Sequence, residues 1–231
     1  MREIVLDTET TGLSPQDGHR IVEIGAVELV NHVPTGQTYH QYINPERSMP
    51  EEAFNVHGLS EEFLRKHPVF ADVVDGFCEF IGDGILVIHN APFDMAFINF
   101  ELKIQNRESI PEEQVLDTLA LARKKHPMGP NSLDALCRRY GVDNSNRTKH
   151  GALLDSELLA SVYLELIGGR QQNLAISQEV ADLGPQRKSE STPARPRPSP
   201  LPSRLSPDET AAHDALIDRL GDTALWRTYQ N

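Results

Sequence analysis

Cysteine is nearly absent from this chain. Only Cys78 and Cys137 occur in 231 residues, neither with a partner at metal-ligand spacing. That excludes a thiolate metal site, and both read as reduced, buried thiols. Long apolar runs are also missing. None reaches eighteen residues, which excludes a membrane-spanning helix and a membrane partner. After Met1-Arg2-Glu3 the chain enters Ile4-Val5-Leu6, and three apolar residues are too few for the core of a signal peptide. A cytoplasmic protein is expected. Cations are scarce: 22 Lys and Arg stand against 34 Asp and Glu, a formal net charge of −12. Affinity for duplex DNA comes largely from cations that release counterions, so this balance excludes a transcription factor that grips DNA by itself.

Hydrophobic residues make up 39% of the chain, enough for one globular domain with length to spare. Ile4-Val5-Leu6 reads as a short strand. Ile21 to Val30 and Tyr39 to Ile43 read as two more, joined by a turn around Asn31 to Gly36. Short connections favour antiparallel pairing among the three. Helices are expected at Ser60 to Lys66, Val69 to Ile81, Phe93 to Leu102, Thr118 to Lys125, Ser132 to Tyr140 and Leu153 to Ile167. Ile85-Leu86-Val87-Ile88 is an unbroken apolar run, as for a strand covered on both faces. A further short strand is expected at Val115-Leu116. The pattern predicts an α/β domain over 1–170, a mixed sheet flanked by helices.

Three short stretches carry the chemistry. In Asp7-Thr8-Glu9, residues two apart on an extended chain point to one side, so two carboxylates aim at one place where the strand opens into Thr10-Thr11-Gly12. Alone, Asp-x-Glu is ordinary turn chemistry. In Asn90-Ala91-Pro92-Phe93-Asp94, a buried strand gives way to a helix with Asp94 in its first turn. Alone, that is an acid favoured by the helix dipole. In His150-Gly151-Ala152-Leu153-Leu154-Asp155, five residues on a helix turn through roughly 140°, so the two side chains cannot share a face. Both serve one site only if His150 sits on the loop before the helix and Asp155 on its second turn.

Together, in this order, the three stretches resemble the DEDDh 3′→5′ exonucleases of the ribonuclease H-like fold. Val5 to Gly12, Phe54-Asn55-Val56-His57-Gly58 and His150 to Asp155 are similar to the epsilon-type proofreading subunits of bacterial DNA polymerase III. The resemblance covers residues 1–170. It implies a five-stranded sheet and two divalent ions, Mg²⁺ or Mn²⁺, held by Asp7, Glu9, Asp94 and Asp155, with His150 as the base. It also implies a DNA 3′ end, single-stranded or frayed, as substrate. Thr10, Gly12, Leu13, Glu52 and His57 would touch that substrate together with Asp7, Glu9 and Asp155. Gly12 would permit close approach, and Leu13 would wedge between the last bases. His89 reads as structural, and Asp117 as a helix cap or a supporting residue. Carboxylates loaded with metal are neutralised, so the acidic balance is compatible with this reading. The alternative is a free-standing enzyme of the same family acting on RNA or oligoribonucleotides.

Beyond residue 170 the composition changes. Residues 171–184 open a linker. There Gln171, Leu174 and Ile176 resemble a short motif that binds sliding clamps. Residues 185–205 form a proline-rich stretch expected to be disordered, since seven of the 16 prolines fall between Pro185 and Pro207. Residues 206–231 resume with Ser206-Pro207-Asp208-Glu209, a capping pattern. An apolar face follows in Ala212, Leu216, Ile217 and Leu220, and then Trp226. This segment is expected to dock on the polymerase catalytic subunit, through Leu216, Leu220 and Trp226.

Overall fold

The computed structural model describes residues 1–147, 149–168 and 205–221. They fall in two units, Met1–Ser177 and Gln178–Asn231. In the first, strands Arg2–Thr10 (β1), Ile21–Val30 (β2), Val33–Tyr42 (β3), Ile85–Ile88 (β4) and Val115–Asp117 (β5) build one sheet in the order β3-β2-β1-β4-β5. The first three are antiparallel neighbours, while β4 and β5 run parallel to β1. The helices are Glu51–His57 (α1), Glu61–Leu64 (α2), Phe70–Ile81 (α3), Ala91–Ile104 (α4), Thr118–Lys125 (α5), Leu133–Tyr140 (α6) and Ala152–Leu166 (α7). The mixed five-stranded sheet flanked by helices is the expected ribonuclease H-like architecture.

Alternation along β1 divides the core. Ile4 and Leu6 enter a cluster with Phe70, Phe77 and Phe97 of α3 and α4. Val5 enters the opposite cluster with Val27, Val87, Leu159 and Tyr163 of α7. Asp7 and Glu9 continue the Val5 side as the strand leaves the core. β1 therefore carries its apolar run in its first half and the acids Asp7 and Glu9 in its second.

Several boundaries differ from expectation. The β2–β3 turn is tighter than Asn31 to Gly36: Asn31 and His32 take positive φ, 50° and 66°, and β3 begins at Val33. Two residues with φ > 0 match the twist of a hairpin. β3 is an edge strand whose residues 33–38 are all exposed, so it lacks the apolar alternation that marks a strand. The helix α1 was not foreseen. It is a surface helix with Phe54 and Val56 exposed. The turn before α4 is also shorter than expected, with Asn90 left-handed at the N-cap and Pro92 in the first turn. Cys137 is buried, but Cys78 is only partly so, because it sits on the rim of the α3 cluster.

In the second unit, Pro207–Leu220 (α8) is capped as expected. Ser206 Oγ accepts from Glu209 N at 3.3 Å, and Glu209 Oε2 accepts from Ser206 N at 2.8 Å. Ile217 is buried, while Leu216 and Leu220 are exposed. Gln171, Leu174, Ile176 and Trp226, with the proline-rich stretch up to Arg204, lie outside the described residues. Among the described residues, no helix is long and apolar enough to cross a membrane.

Candidate active site

The parallel pairing of β1 with β4 stops at Val5, opposite Val87. Beyond that point the β1 edge is taken over by a side chain. Asp94, buried in the first turn of α4, accepts hydrogen bonds through Oδ1 from Thr8 N at 3.1 Å and Thr8 Oγ1 at 2.6 Å. Asp117 supports the turn that delivers it. Its carboxylate caps α5 through Leu119 N at 2.9 Å and also accepts from Asn90 N at 3.0 Å. His89 lies against this support, with Nδ1 3.0 Å from Thr118 Oγ1.

Asp155 arrives from the other side, and a glycine lets it in. Gly25 on β2 pairs directly with Asp7, so both project toward α7. A Cβ on Gly25 would lie 2.1 Å from Leu153 N and 2.2 Å from the Ala152 carbonyl carbon. The start of α7 therefore rests on the bare backbone of β2, and Ser156 Oγ fastens it at 2.9 Å from Gly25 O. Gly25→Ala is expected to push α7 outward, costing about 1–3 kcal/mol of stability. Exonuclease turnover should fall together with the melting temperature. A variant with wild-type melting and turnover would show that this contact positions nothing.

His150 lies on the loop before α7, and Asp155 is in the first turn of the helix, not the second as expected. The two side chains converge, with His150 Nδ1 3.4 Å from Asp155 Oδ2. The loop is tied down on α1: His150 N donates to Val56 O at 3.3 Å, and Lys149 Nζ lies 5.1 Å from the centre of the Phe54 ring.

Asp7, Glu9, Asp94, His150 and Asp155 all line one cleft of about 320 Å³. Ligand atoms of Glu9, His150 and Asp155 lie within 4.8 Å of one another. The crowding shows in the titration. Burial, then the charges of Asp94, Glu9 and Asp155, push the Asp7 carboxyl well above its ordinary range. Burial and the neighbouring acids push Glu9 up to about 8. Burial pushes Asp94 up to about 7, against the hydrogen bonds from Thr8. Burial alone would raise Asp155 too, but contacts from His150 and Arg147 outweigh it and hold that carboxyl low. A buried set of like charges with oxygen donors fits hard divalent cations.

Arg147 was not foreseen. Its Nε and Nη2 grip Asp155 Oδ1 and Oδ2 at 2.5 and 2.6 Å, and its Nη1 donates to Asp134 Oδ1 at 2.8 Å. Nη2 also donates to His150 Nδ1 at 2.8 Å, which makes that ring nitrogen an acceptor. A lone arginine in a polar loop gives no signal in sequence. The pairing exists only once α6 and α7 are packed.

The expected substrate residues gather in a second cleft, of about 500 Å³, which shares Thr8, Glu9 and Phe93 with the first. Thr10, Gly12, Leu13, Glu52 and His57 all line it, while Asp7 and Asp155 do not. Leu13 is 85% exposed. His57 is buried, and burial lowers its pKa to about 4, so the ring is neutral. Its Nδ1 accepts from Leu59 N at 3.0 Å, which leaves Nε2 as a donor with no partner at hydrogen-bond geometry among the described residues, beside the Thr10 backbone. The side of Gly12 that a Cβ would occupy faces the ring of His19. A Cβ there would lie 2.3 Å from the His19 ring, so the close approach is made by His19.

A β1 edge ending in Asp7 and Glu9, met by carboxylates from α4 and α7, is the arrangement that the resemblance to the exonuclease class implies. Residues 4–163 match the family model described as Exonuclease (RNase_T). Among solved structures, the fold resembles the nuclease domain of 3′hExo, a DEDDh family member bound to rAMP. The TM-score is 0.62 at 18% identity, covering 74% of this chain and 94% of that one. It also resembles Exonuclease X in complex with 5′ overhanging duplex DNA, with a TM-score of 0.55 at 24% identity, covering 71% and 90%. Among curated proteins, the DNA polymerase III subunit epsilon of Rickettsia conorii is 57% identical over 74% of this chain and 76% of that protein. Those of Salmonella typhimurium and Escherichia coli K12 are 46% and 45% identical, each over 98% of this chain and 97% of theirs. The chain belongs to the DEDDh exonuclease family, in its branch of DNA polymerase III epsilon subunits.

Proposed function

We propose that this chain is a metal-dependent 3′→5′ exodeoxyribonuclease that removes mispaired nucleotides from DNA 3′ ends as the proofreading subunit of a replicative polymerase. The observation that carries it is the convergence of Asp7, Glu9, Asp94, Asp155 and His150 on one cleft at the end of β1. Two divalent cations, Mg²⁺ or Mn²⁺, supply an activated water and a clamp on the leaving oxygen when bound. Asp7 would hold both, Glu9 and Asp155 would complete the first position, and Asp94 would support the second. His150, half exposed on its loop, accepts the proton of the attacking water at a ring nitrogen. In the adjoining cleft, the unspent Nε2–H of His57 donates to an oxygen of the terminal nucleotide. Glu52 and the Thr10 to Leu13 turn line the same place, with Leu13 set to wedge against a base.

The domain division follows the same reading. Residues 1–170 cleave, and residues 206–231 dock on the polymerase catalytic subunit through Leu216, Leu220 and Trp226. Similarity to the Salmonella relative over 98% of this chain supports a role for the tail, and the exposed Leu216 and Leu220 suit docking. In the connecting stretch, Gln171, Leu174 and Ile176 would engage the sliding clamp.

A primer with a mismatched 3′ end provides the test. With Mg²⁺ or Mn²⁺ the chain should release nucleoside 5′-monophosphates from that end, prefer DNA to RNA of the same sequence, and stop on addition of EDTA. Cleavage that survives EDTA would refute the mechanism, and a preference for RNA would refute the substrate. Deletion after Gly184 should leave single-strand cleavage intact while co-purification with the polymerase is lost. Retained co-purification would move the docking surface elsewhere.

A further inference from the structure

The guanidinium of Arg147 lies on both oxygens of Asp155 and on Nδ1 of His150, so it occupies the carboxylate that a divalent ion held by Glu9 and Asp155 would also seek. Planar, two-point pairing of this kind is the strongest contact a carboxylate makes with a side chain. Arg147 is itself mostly enclosed, with 8% of its side chain exposed, and its third nitrogen is anchored on Asp134, a more exposed acid that lines the same cleft and is not one of the four carboxylates assigned to metal. The side chain thus has two attachments of different kinds, one shared with the ligand set and one not. An ion taking Asp155 must displace the first, while the second keeps the arginine at the rim.

We infer that Arg147 is the resident counter-cation of the metal-free site, competing with the divalent ion for Asp155 and withdrawing to Asp134 when the ion binds. This rests on the reading of Asp155 as a metal ligand. It explains how a buried group of acids tolerates the absence of metal: one carboxylate is neutralised from within the chain. It also sets a threshold, because the ion must outbid a hydrogen-bonded ion pair before it can bind.

Titration of the full chain with Mn²⁺ alone, followed by calorimetry, tests this without a substrate. Arg147→Gln should bind Mn²⁺ at least about tenfold more tightly than wild type, the factor expected from losing a charge-assisted hydrogen-bonded competitor. Arg147→Lys keeps the charge but not the fork, and should fall between the two. If the glutamine variant fails to fold, the lysine variant decides alone. Binding of Mn²⁺ unchanged or weakened in a folded variant, with wild type binding normally, would overturn the competition. No binding by wild type would overturn the metal reading of the site as well, so the two failures are distinguishable.

Discussion

Asp7→Asn is expected to abolish exonuclease activity while making the metal-free protein more stable. Asp7 sits where the charges of Glu9, Asp94 and Asp155 all act on it, and burial adds to their effect. With metal bound, that concentration of charge is what the reaction needs. Losing one member of a set that works as a unit should cost about 10³-fold or more in turnover. Without metal, the same charge is a liability, because the buried acids repel one another. The amide keeps the shape of the carboxylate and removes one charge. The melting temperature in EDTA should therefore rise, by about 2–4 °C for each kcal/mol gained at this chain length. Single-turnover cleavage and calorimetry in EDTA read the two effects separately. Activity within tenfold of wild type, or a lower melting temperature, would remove Asp7 from the centre of the cluster.

The second large effect is a dependence of stability on pH that metal cancels. In the unfolded chain, carboxyl groups ionise near pH 4. In the folded chain, Asp94 keeps its proton up to about 7 and Glu9 up to about 8. Between those limits the folded state binds more protons than the unfolded state. Stability that is fully present at low pH is thus lost as pH rises through 7 and 8. In EDTA, the melting temperature should fall by more than about 5 °C between pH 5 and pH 8. Saturating Mn²⁺ should restore far more at pH 8 than at pH 5, because it binds the ionised groups. A flat or rising profile in EDTA would show that the acids are neutralised by other means.

Much of this site can be read from the chain without its fold, for a definite reason. Asp7, Glu9, Asp94, His150 and Asp155 stand at junctions between regular elements, and those junctions are marked by local signals. The apolar run before Asp7, the buried strand before Asp94 and the geometry of five residues between His150 and Asp155 are all short-range features. The helix α1 and the first half of β3 were missed because they lie on the surface, where no core imposes a hydrophobic period. The residues expected at the substrate, which line the 500 Å³ cleft, are legible only through resemblance, since Glu52 and His57 have no pattern of their own. Arg147 and Gly25 were invisible for a deeper reason. What matters about each is a distance to something remote: α7 for the glycine, and Asp155 together with Asp134 for the arginine.

The seating of α7 has one more consequence. Near its first turn the helix lies against Gly25, and near its last turn Tyr163 donates to Glu3 Oε1 at 2.6 Å, at the far end of β1. Rod and strand are bolted at two points roughly 15 Å apart, and the oxygens of Asp7 and Asp155 are carried on the two parts. Neither part can slide or spread to suit a guest. Such a frame works as a calliper. On the proposed metal reading, it is expected to favour ions whose oxygens sit at about 2.0–2.1 Å over those, such as Ca²⁺, that need about 2.3–2.6 Å and more ligands. On that reading, the carpentry of the sheet enters ion choice beside the chemistry of the acids.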